Sequence, residues 1–331
     1  MTQILYVYSR EPSFVSIDRS LLEEHWPVRD WQQRGPVVNL ISLARAVARS
    51  DLVFGWFASW HTFWPVTLAW IMRKPSVVVI GGFDTARMPE IGYGLQQRRL
   101  MRHVSRWVMR RATRLVTNSL YSREEAAATA GVDPARVTVV YHGVPDPFGE
   151  LPAEPRERLA LTIGVIDRRN LDRKGLRPFV EAAALLPDVS FVLAGGWDDE
   201  DAALELRRQA PPNVTITGWV EPDVLNDYLR RAAVYVQASA HEGFGMSVAE
   251  AMLAGCVPVT TRAGALPEVV DDVGVQVDGQ DPAALAGAIE QALSMDEDTR
   301  REARARICEH FPLEVRRRGL HAVVTEVLAS P

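Results

Sequence analysis

Lysine is nearly absent from this sequence: 35 of its 37 basic residues are arginines, and the two lysines are Lys74 and Lys174. An ammonium group is a compact point charge, whereas a guanidinium is wider and donates from a fixed fork. A lysine in a chain that otherwise uses arginine therefore indicates a specific need at its position. Cysteine is equally scarce, and Cys256 and Cys308 lack metal-ligand spacing. This argues against a disulfide framework and favours a reducing compartment.

Long apolar runs are also missing. No window reaches the ~18–20 apolar residues that span a bilayer, and the richest stretch, residues 52–72, is interrupted by His61 and Pro65. The apolar run at residues 4–8 has the length of a strand and is too short for a signal peptide. We therefore expect a cytoplasmic protein without a membrane-spanning helix.

Several motifs are absent as well. No paired glycines complete G-x-G-x-x-G, which leaves a dehydrogenase without support, and no Ser/His/Asp nucleophile motif is evident. The net charge of −5 argues against a nucleic-acid partner. The acidic run at residues 198–201 resembles a metal cluster, but it follows Gly195 and Gly196. We predict that it caps a helix N-terminus and that the protein needs no metal.

The length of 331 residues indicates two domains, at roughly 100–200 residues each. Residues 1–150 carry a net charge of +5 and the remainder carries −10, which indicates domains with different partners. Prolines crowd residues 145–155, and we interpret this segment as a linker. We predict domains over residues 1–150 and 151–310, with a C-terminal helix in 311–331 packing back on the first.

Both halves alternate strands and helices. A buried β-branched strand at residues 76–80 precedes a long helix from Gln96 to Arg114, and strands at residues 159–165 and 234–237 precede helices in the second half. This alternation predicts an α/β fold with two Rossmann-like, doubly wound parallel-sheet domains. Ligands of such sheets bind outside the carboxyl ends of the strands. We therefore expect a site in a central cleft between the domains.

The strongest local pattern runs from Glu242 to Glu250, after a strand and into a helix. Gly243 and Gly245 in the turn let backbone N–H groups approach a ligand closely, and a helix N-terminus favours an anion such as a diphosphate. The two carboxylates lie about two helical turns apart, and each can accept two hydroxyls of a sugar or a ribose. The alternative is a buried turn whose glutamates lie on a solvated face.

Together with the turn at residues 263–268, this pattern resembles the retaining glycosyltransferases of family 4, or group 1, whose signature is E-x7-E. The resemblance covers residues 157–295. It implies the GT-B fold, with an acceptor domain first and a nucleotide-sugar domain second. It also implies that Glu242 contacts the donor sugar near the reacting centre and that Glu250 binds the ribose. The residues that would hold the sugar and diphosphate are those of the turn: Gly243, Phe244, Gly245 and Met246.

Two more segments agree with the resemblance. Arg168 and Lys174 match the family's Arg and Lys-Gly pair in kind and spacing, which implies that both cations hold the donor diphosphate. The alternative is a surface loop with ordinary charges. Trp219 and Val220 match the segment whose backbone reads the nucleobase, although a plain strand end and turn explains them equally well.

The first half resembles the family more loosely. Where many members have a glycine-rich loop after the first strand, this chain has Arg10 and Ser13, which we assign to acceptor or sugar binding. Where many have a histidine, it has Gly82 and Asp84. Asp84 either contacts the sugar or acceptor or caps the turn, and both interpretations stay open.

The resemblance implies transfer of a sugar, with retention, from a nucleoside diphosphate sugar to an acceptor hydroxyl. The acceptor would be a glycan, a glycolipid or a small molecule, such as a lipid-linked or cell-surface polysaccharide precursor. A UDP-sugar is our expectation for the donor, without a cofactor or metal. The alternatives are another GT-B enzyme, such as a nucleotide-sugar epimerase, and a non-catalytic nucleotide-sugar-binding protein. A phosphorylase is a poor alternative, because it needs a pyridoxal-binding lysine.

The predicted helix from Gln96 to Arg114 has an arginine at every fourth position, and no acid lies between Gly92 and Ser122. A basic amphipathic helix can lie on an anionic membrane, which would suit peripheral contact with the inner membrane face. A solvated face on a packed helix is the alternative. The arginines of this stripe are Arg98, Arg102, Arg106, Arg110 and Arg114.

Overall fold

The computed structural model describes residues 2–151 and 156–329, and the chain divides into two compact units. Unit 1 comprises Met1–Gly143 and Leu313–Pro331, and unit 2 comprises Val144–Pro312. The predicted bounds at residues 150 and 310 lie close to these divisions. Part of the predicted linker, residues 152–155, lies outside the described residues.

Unit 1 contains a six-stranded parallel sheet in the order β2-β1-β3-β4-β5-β6. Its strands are β1 (Ile4–Tyr8), β2 (Val28–Gln32), β3 (Leu52–Trp56), β4 (Ser76–Ile80), β5 (Arg114–Thr117) and β6 (Val137–Val139). Its helices are α1 (Ser13–Glu23), α2 (Leu40–Arg49), α3 (Trp60–Ile71), α4 (Met101–Arg111), α5 (Leu120–Ala130) and the C-terminal α14 (Leu313–Ala329). The strands β1, β3 and β4 are buried along their whole length, so their apolar runs form the centre of the core.

Two elements of unit 1 are absent from the sequence prediction. Helix α1 begins after Pro12, and no side chain caps it, so the usual start signal is missing. Strand β2 is an edge strand with no fully buried residue, and it therefore lacks the apolar run that marks a buried strand.

The predicted helix from Gln96 to Arg114 is too long. Helix α4 spans only Met101–Arg111, and Arg114 already belongs to β5. The Gln96 side chain is buried and donates to the backbone oxygen of Asp84, at 2.7 Å. This bond holds residues 96–100, which precede α4, in a non-helical path. The arginine stripe is also interrupted, because Arg106 donates to Gln96 and Thr129 and Arg114 pairs with Glu326.

Helix α14 packs on α1 in unit 1 through a buried ion pair. The Arg316 guanidinium donates to both carboxylate oxygens of Asp18, at 2.8 and 2.6 Å, and also to the backbone oxygen of Val140. Neither member of the pair is exposed to solvent. Such a pair fixes the register of α14, since misplacing it would leave a buried charge alone.

Unit 2 contains a second six-stranded parallel sheet, in the order β12-β11-β10-β7-β8-β9. Its strands are β7 (Glu157–Ile163), β8 (Ser190–Ala194), β9 (Val214–Gly218), β10 (Ala232–Gln237), β11 (Val257–Thr261) and β12 (Val275–Val277). Its helices are α6 (Arg168–Arg173), α7 (Leu176–Ala183), α8 (Glu200–Gln209), α9 (Pro222–Arg231), α10 (Met246–Leu253), α11 (Leu266–Val270), α12 (Pro282–Leu293) and α13 (Glu297–His310). Strand order reverses between β7 and β10, so the loops after these two strands flank the topological switch point.

The helices of the described residues are too short or too polar to cross a membrane. Cys256 is buried and Cys308 is exposed, and both are free thiols, as the spacing predicts.

Candidate active site

A cavity of about 440 Å³ lies at the carboxyl edge of the unit 2 sheet. Its walls are the residues that follow β7, β8 and β9, together with Ser247 near the start of α10. Arg173 and Lys174 also line it. A parallel sheet presents ligands at this edge, so the cavity is the candidate site of unit 2.

Glu242 follows β10 and is largely buried, with 14% of its side chain exposed. Ser239 and Gln237 each donate a hydrogen bond of 3.0 Å to its Oε1. Lys174 Nζ lies 3.7 Å from the same oxygen, and Arg173 Nη1 lies 3.8 Å from it. Burial by itself would raise the pKa of Glu242, but the two cations and the Ser239 bond hold that pKa below its ordinary value. Glu242 is therefore a buried carboxylate that stays ionised.

Lys174 ends α6 beside this carboxylate. Burial lowers the pKa of the ammonium group, and the charge of Glu242 opposes that change. A Cβ on Gly164, just after β7, would lie 3.2 Å from the Lys174 Cδ, so glycine at this position leaves room for the lysine stem. The two switch-point loops are also joined directly, because the N–H of Ala240 donates to the backbone oxygen of Arg173 at 2.7 Å.

The turn between Glu242 and α10 has the backbone that its glycines permit. Gly245 adopts φ +107° and precedes the first residue of α10, Met246. The second predicted turn packs against the first, because the N–H of Ala265 donates to the backbone oxygen of Glu242. A Cβ on Gly264 would lie 2.1 Å from the same backbone oxygen. Gly245 is therefore favoured by its positive φ, and Gly264 is required by close backbone packing.

Phe244 and Gly243 take different positions in this turn. The Phe244 side chain is buried and meets Phe311 edge to face, so it belongs to the core of unit 2. Any ligand contact at Phe244 would involve its backbone. Gly243 is partly exposed.

The two predicted diphosphate cations are not brought together. Lys174 lies beside Glu242, but Arg168 begins α6 with 60% of its side chain exposed, and it pairs with Glu205 at 3.1 Å and Asp199 at 3.7 Å. The segment predicted as a loop is helix α6, so the six positions from Arg168 to Lys174 correspond to almost two helical turns. The cation that accompanies Lys174 is Arg173.

Trp219 and Val220 both line the cavity, and the Trp219 side chain is exposed for 69% of its surface. The nearby acidic run caps α8, as predicted: Asp199 accepts from the N–H of Ala202 at 2.9 Å. Glu200 and Asp201 lie in the first turn of that helix, where negative charge is favourable.

Whereas Glu242 lies in the non-helical turn before α10, Glu250 lies in the second turn of that helix. Burial raises its pKa to about 7, and the charge of Lys174 opposes the rise only partly. Glu242 and Glu250 thus differ in ionisation although both are partly enclosed, because Glu242 has two cations and two hydrogen-bond donors.

The candidate residues of unit 1 lie at the carboxyl edge of its own sheet. Asp84 is fully buried and accepts from the N–H groups of Gly81 and Ala58, at 2.9 and 2.8 Å, which are the bonds of a turn cap. Burial raises its pKa to about 7. Gly82 is partly exposed at φ +85°. Arg10 is exposed in the loop after β1, and Ser13 begins α1.

Three polar residues that line the unit 2 cavity were not predicted as site residues: Asn170, Arg173 and Ser247. The sequence signal that could have identified Arg173 as a site residue is its position directly before Lys174. Asn170 accepts from the Arg173 guanidinium at 2.9 Å and thereby orients it. Nothing in the sequence distinguishes Ser247 from other small residues near a helix start. Within residues 2–151 and 156–329, no three His, Cys, Asp or Glu side chains are grouped to hold a metal ion.

Comparison with known proteins assigns both halves. Residues 157–295 match the family described as Glycosyl transferases group 1, and residues 9–146 match Glycosyltransferase Family 4. Both segments are glycosyltransferase domains. The predicted family type is therefore confirmed at the level of its domains.

The relatives carry glycosyltransferase names. A phosphatidylinositol N-acetylglucosaminyltransferase subunit of Arabidopsis thaliana is 29% identical, over 53% of this chain and 40% of its own length. The Escherichia coli O-antigen chain mannosyltransferase B is 35% identical, over 41% of this chain and 37% of its own length. The matches thus span about two fifths of these relatives.

Solved structures share the fold. Anabaena HepE in complex with UDP-glucose superimposes with a TM-score of 0.80 at 17% identity, covering 98% of this chain and 100% of that one. At this identity the likeness shows the fold alone. The predicted α/β GT-B class, with two Rossmann-like units, is confirmed.

Proposed function

We propose that this protein is a retaining glycosyltransferase that moves a sugar from a nucleoside diphosphate sugar to an acceptor hydroxyl. The observation that carries the proposal is the cluster of Glu242, Lys174 and Arg173 at the switch point of unit 2. Two half-buried cations beside an open cavity match the charge of a diphosphate. Glu242 is held ionised next to them, where it would face the sugar.

The reaction needs stabilisation of the charge that develops on the leaving diphosphate. Lys174 and Arg173 would supply it electrostatically, together with backbone N–H groups at the start of α10. No metal ion is required by this scheme, and we expect activity to survive EDTA. Loss of activity in EDTA, restored by Mg²⁺ or Mn²⁺, would contradict it.

The donor nucleotide in this proposal is UDP. HepE, which shares the fold, was crystallised with UDP-glucose, and Trp219 offers an exposed ring at the cavity wall for a nucleobase. A ligand present far above its dissociation constant raises the melting temperature by mass action. We therefore expect UDP to raise it more than GDP, dTDP or ADP in a thermal-shift panel. No rise with any of the four would overturn the donor-site assignment.

Retention is tested on the product. We expect ¹H NMR of the newly formed glycoside to show the anomeric configuration of the donor sugar. An inverted product would contradict the proposal. Epimerised donor in the absence of acceptor transfer would indicate the epimerase alternative.

We further propose peripheral contact of unit 1 with an anionic membrane through the region from Gln96 to Arg114. The exposed residues there are Arg98, Arg99, Leu100, His103, Arg110 and Thr113, which combine three positive charges with one apolar side chain. We expect co-sedimentation with phosphatidylglycerol vesicles that exceeds that with phosphatidylcholine vesicles. Equal binding to both, or to neither, would refute the contact.

A further inference from the structure

Unit 1 contains a cavity of about 510 Å³ that is not lined by its predicted site residues. Three segments line it: residues 34–38, residues 60–64 at the start of α3, and residues 101–104 at the start of α4. The first follows β2, the second follows β3, and the third opens the helix that comes after β4. All three therefore lie at the carboxyl edge of the parallel sheet, the edge where such sheets bind ligands.

The cavity is apolar and aromatic, and its surroundings are unusually exposed. Trp60, Phe63 and Trp64 form one wall, and 38% of the Trp64 surface is open to solvent. Val37 and Leu100, which adjoin lining residues in the chain, are exposed for 87% and 75% of their surfaces. A concentration of exposed apolar side chains around a cavity marks a binding surface.

The charge carried by the three lining segments has one sign. The three lining segments contain Arg34 and Arg102 and no acidic residue, and the chain from Trp31 to Phe83 contains a single acid, Asp51. Arg34 itself lines the cavity. The Nε of Arg102 is buried and has no hydrogen-bond partner among the described residues. An apolar cavity flanked by these arginines complements a molecule that joins a hydrocarbon chain to an anionic group.

We propose that this cavity is an acceptor subsite that holds the hydrocarbon chain of an anionic, lipid-linked acceptor. The inference rests on the proposed function, because it names the class of acceptor that would receive the sugar. The proposal requires one acceptor molecule to place its hydrocarbon chain inside the cavity, whereas contact with a bilayer requires no such entry.

Decyl phosphate below its micellar concentration is a suitable probe, and calorimetry gives its dissociation constant. We expect binding to the native chain, with decanol and inorganic phosphate each binding at least tenfold more weakly. Trp64→Ala should weaken binding about tenfold. Trp70→Ala is the matched control: Trp70 lies on the same helix and is more exposed, at 46%, but it does not line the cavity. It should change the dissociation constant less than twofold.

Two further variants keep the test decisive if Trp64→Ala proves unstable. Val104→Phe would fill the cavity and should abolish decyl phosphate binding, whereas Arg34→Gln should weaken decyl phosphate and leave decanol unchanged. Circular dichroism and melting temperature identify variants that fold normally. UDP binding, measured on the same samples, reports on the donor site of unit 2 independently. If UDP did not bind, the proposed function would be contradicted, but the decyl phosphate result would stand.

The proposal is overturned if folded Trp64→Ala and Trp70→Ala bind decyl phosphate equally well. It is also overturned if the native chain binds no monomeric probe but co-sediments with phosphatidylglycerol vesicles. In that second case the surface is a bilayer contact and not an acceptor subsite.

Discussion

Replacing Lys174 by alanine removes one of the two cations beside Glu242 while leaving the other in place. Arg173 keeps its bonds to Asn170 and stays 3.8 Å from the carboxylate, and Ser239 and Gln237 still donate to it. The carboxylate is therefore not left alone in the interior, and we expect the variant to fold. What is lost is the ammonium group that faces the cavity.

A charge-assisted hydrogen bond contributes about 1.5–3 kcal/mol, and about 1.4 kcal/mol corresponds to a tenfold change in affinity. We therefore expect Lys174→Ala to weaken UDP binding roughly ten- to a hundredfold. Uridine has no phosphate, so its affinity should change much less. Lys174→Arg should restore only part of the loss, because the wider guanidinium must fit where Gly164 packs against the lysine stem.

Isothermal titration calorimetry with UDP and uridine measures both effects, and Arg168→Ala is the matched control. Arg168 was the other predicted cation, but it is exposed and paired with Glu205 and Asp199, so its loss should weaken UDP binding less than about threefold, as is typical of exposed ion pairs. Equal weakening of uridine and UDP by Lys174→Ala would show that the lysine acts through structure. A larger loss with Arg168→Ala than with Lys174→Ala would refute the reasoning from geometry.

Three further changes test other parts of the structure. Glu242→Gln keeps the shape but removes the charge next to two cations, and it should lower kcat at least a hundredfold and also lower the melting temperature without unfolding the chain, because Lys174 and Arg173 lose their counter-charge; near-native kcat in a transfer assay would exclude the role near the reacting centre. Arg316→Met leaves Asp18 as an unpaired buried charge and should lower the free energy of unfolding, measured in urea, by about 3–5 kcal/mol. Arg317→Met, at the neighbouring and more exposed position, should lower it by at most about 1 kcal/mol. Similar losses in the two variants would contradict the role of the buried pair in holding α14. Burial raises the pKa of Glu250 from 4.5 to about 7, so the contribution of Glu250 to the free energy of unfolding should fall as pH rises from 4.5 through 7; Glu250→Gln should match the native chain near pH 4.5 and exceed it by roughly 3 kcal/mol at pH 8 without nucleotide, and parallel stability curves would contradict the shifted pKa.

The unit 2 sheet was predictable because its signals are local. Strands such as β8 and β10 are continuous apolar runs, and the turn after β10 has a glycine, Gly245, at a position with positive φ. Glu242 and Lys174 could also be singled out, one by its turn and the other by the rarity of lysine. Their contact is a consequence of strand order, since the loops after β7 and β10 meet only if these strands are neighbours.

The errors arose where non-local bonds decide the structure. Nothing near Gln96 announces that its side chain binds the backbone of Asp84, so the helical pattern was extended five residues too far. Edge strand β2 lacks a buried face, and periodicity does not detect it. Arg168 was chosen because its type and spacing match the family's pattern; α6 converts that spacing into separation along a helix, and the role of Arg168 toward a diphosphate stays a prediction.

The contrast between the two clusters of buried charge explains which of them can bind a ligand. Arg316 and Asp18 satisfy each other with two bonds and no solvent contact, so the pair has no capacity left for a ligand. Glu242 lies 3.7 and 3.8 Å from Lys174 and Arg173, beyond hydrogen-bond length. The two positive charges hold the carboxylate ionised across these distances. Because both cations line an open cavity, this loose contact is the property that a diphosphate would use.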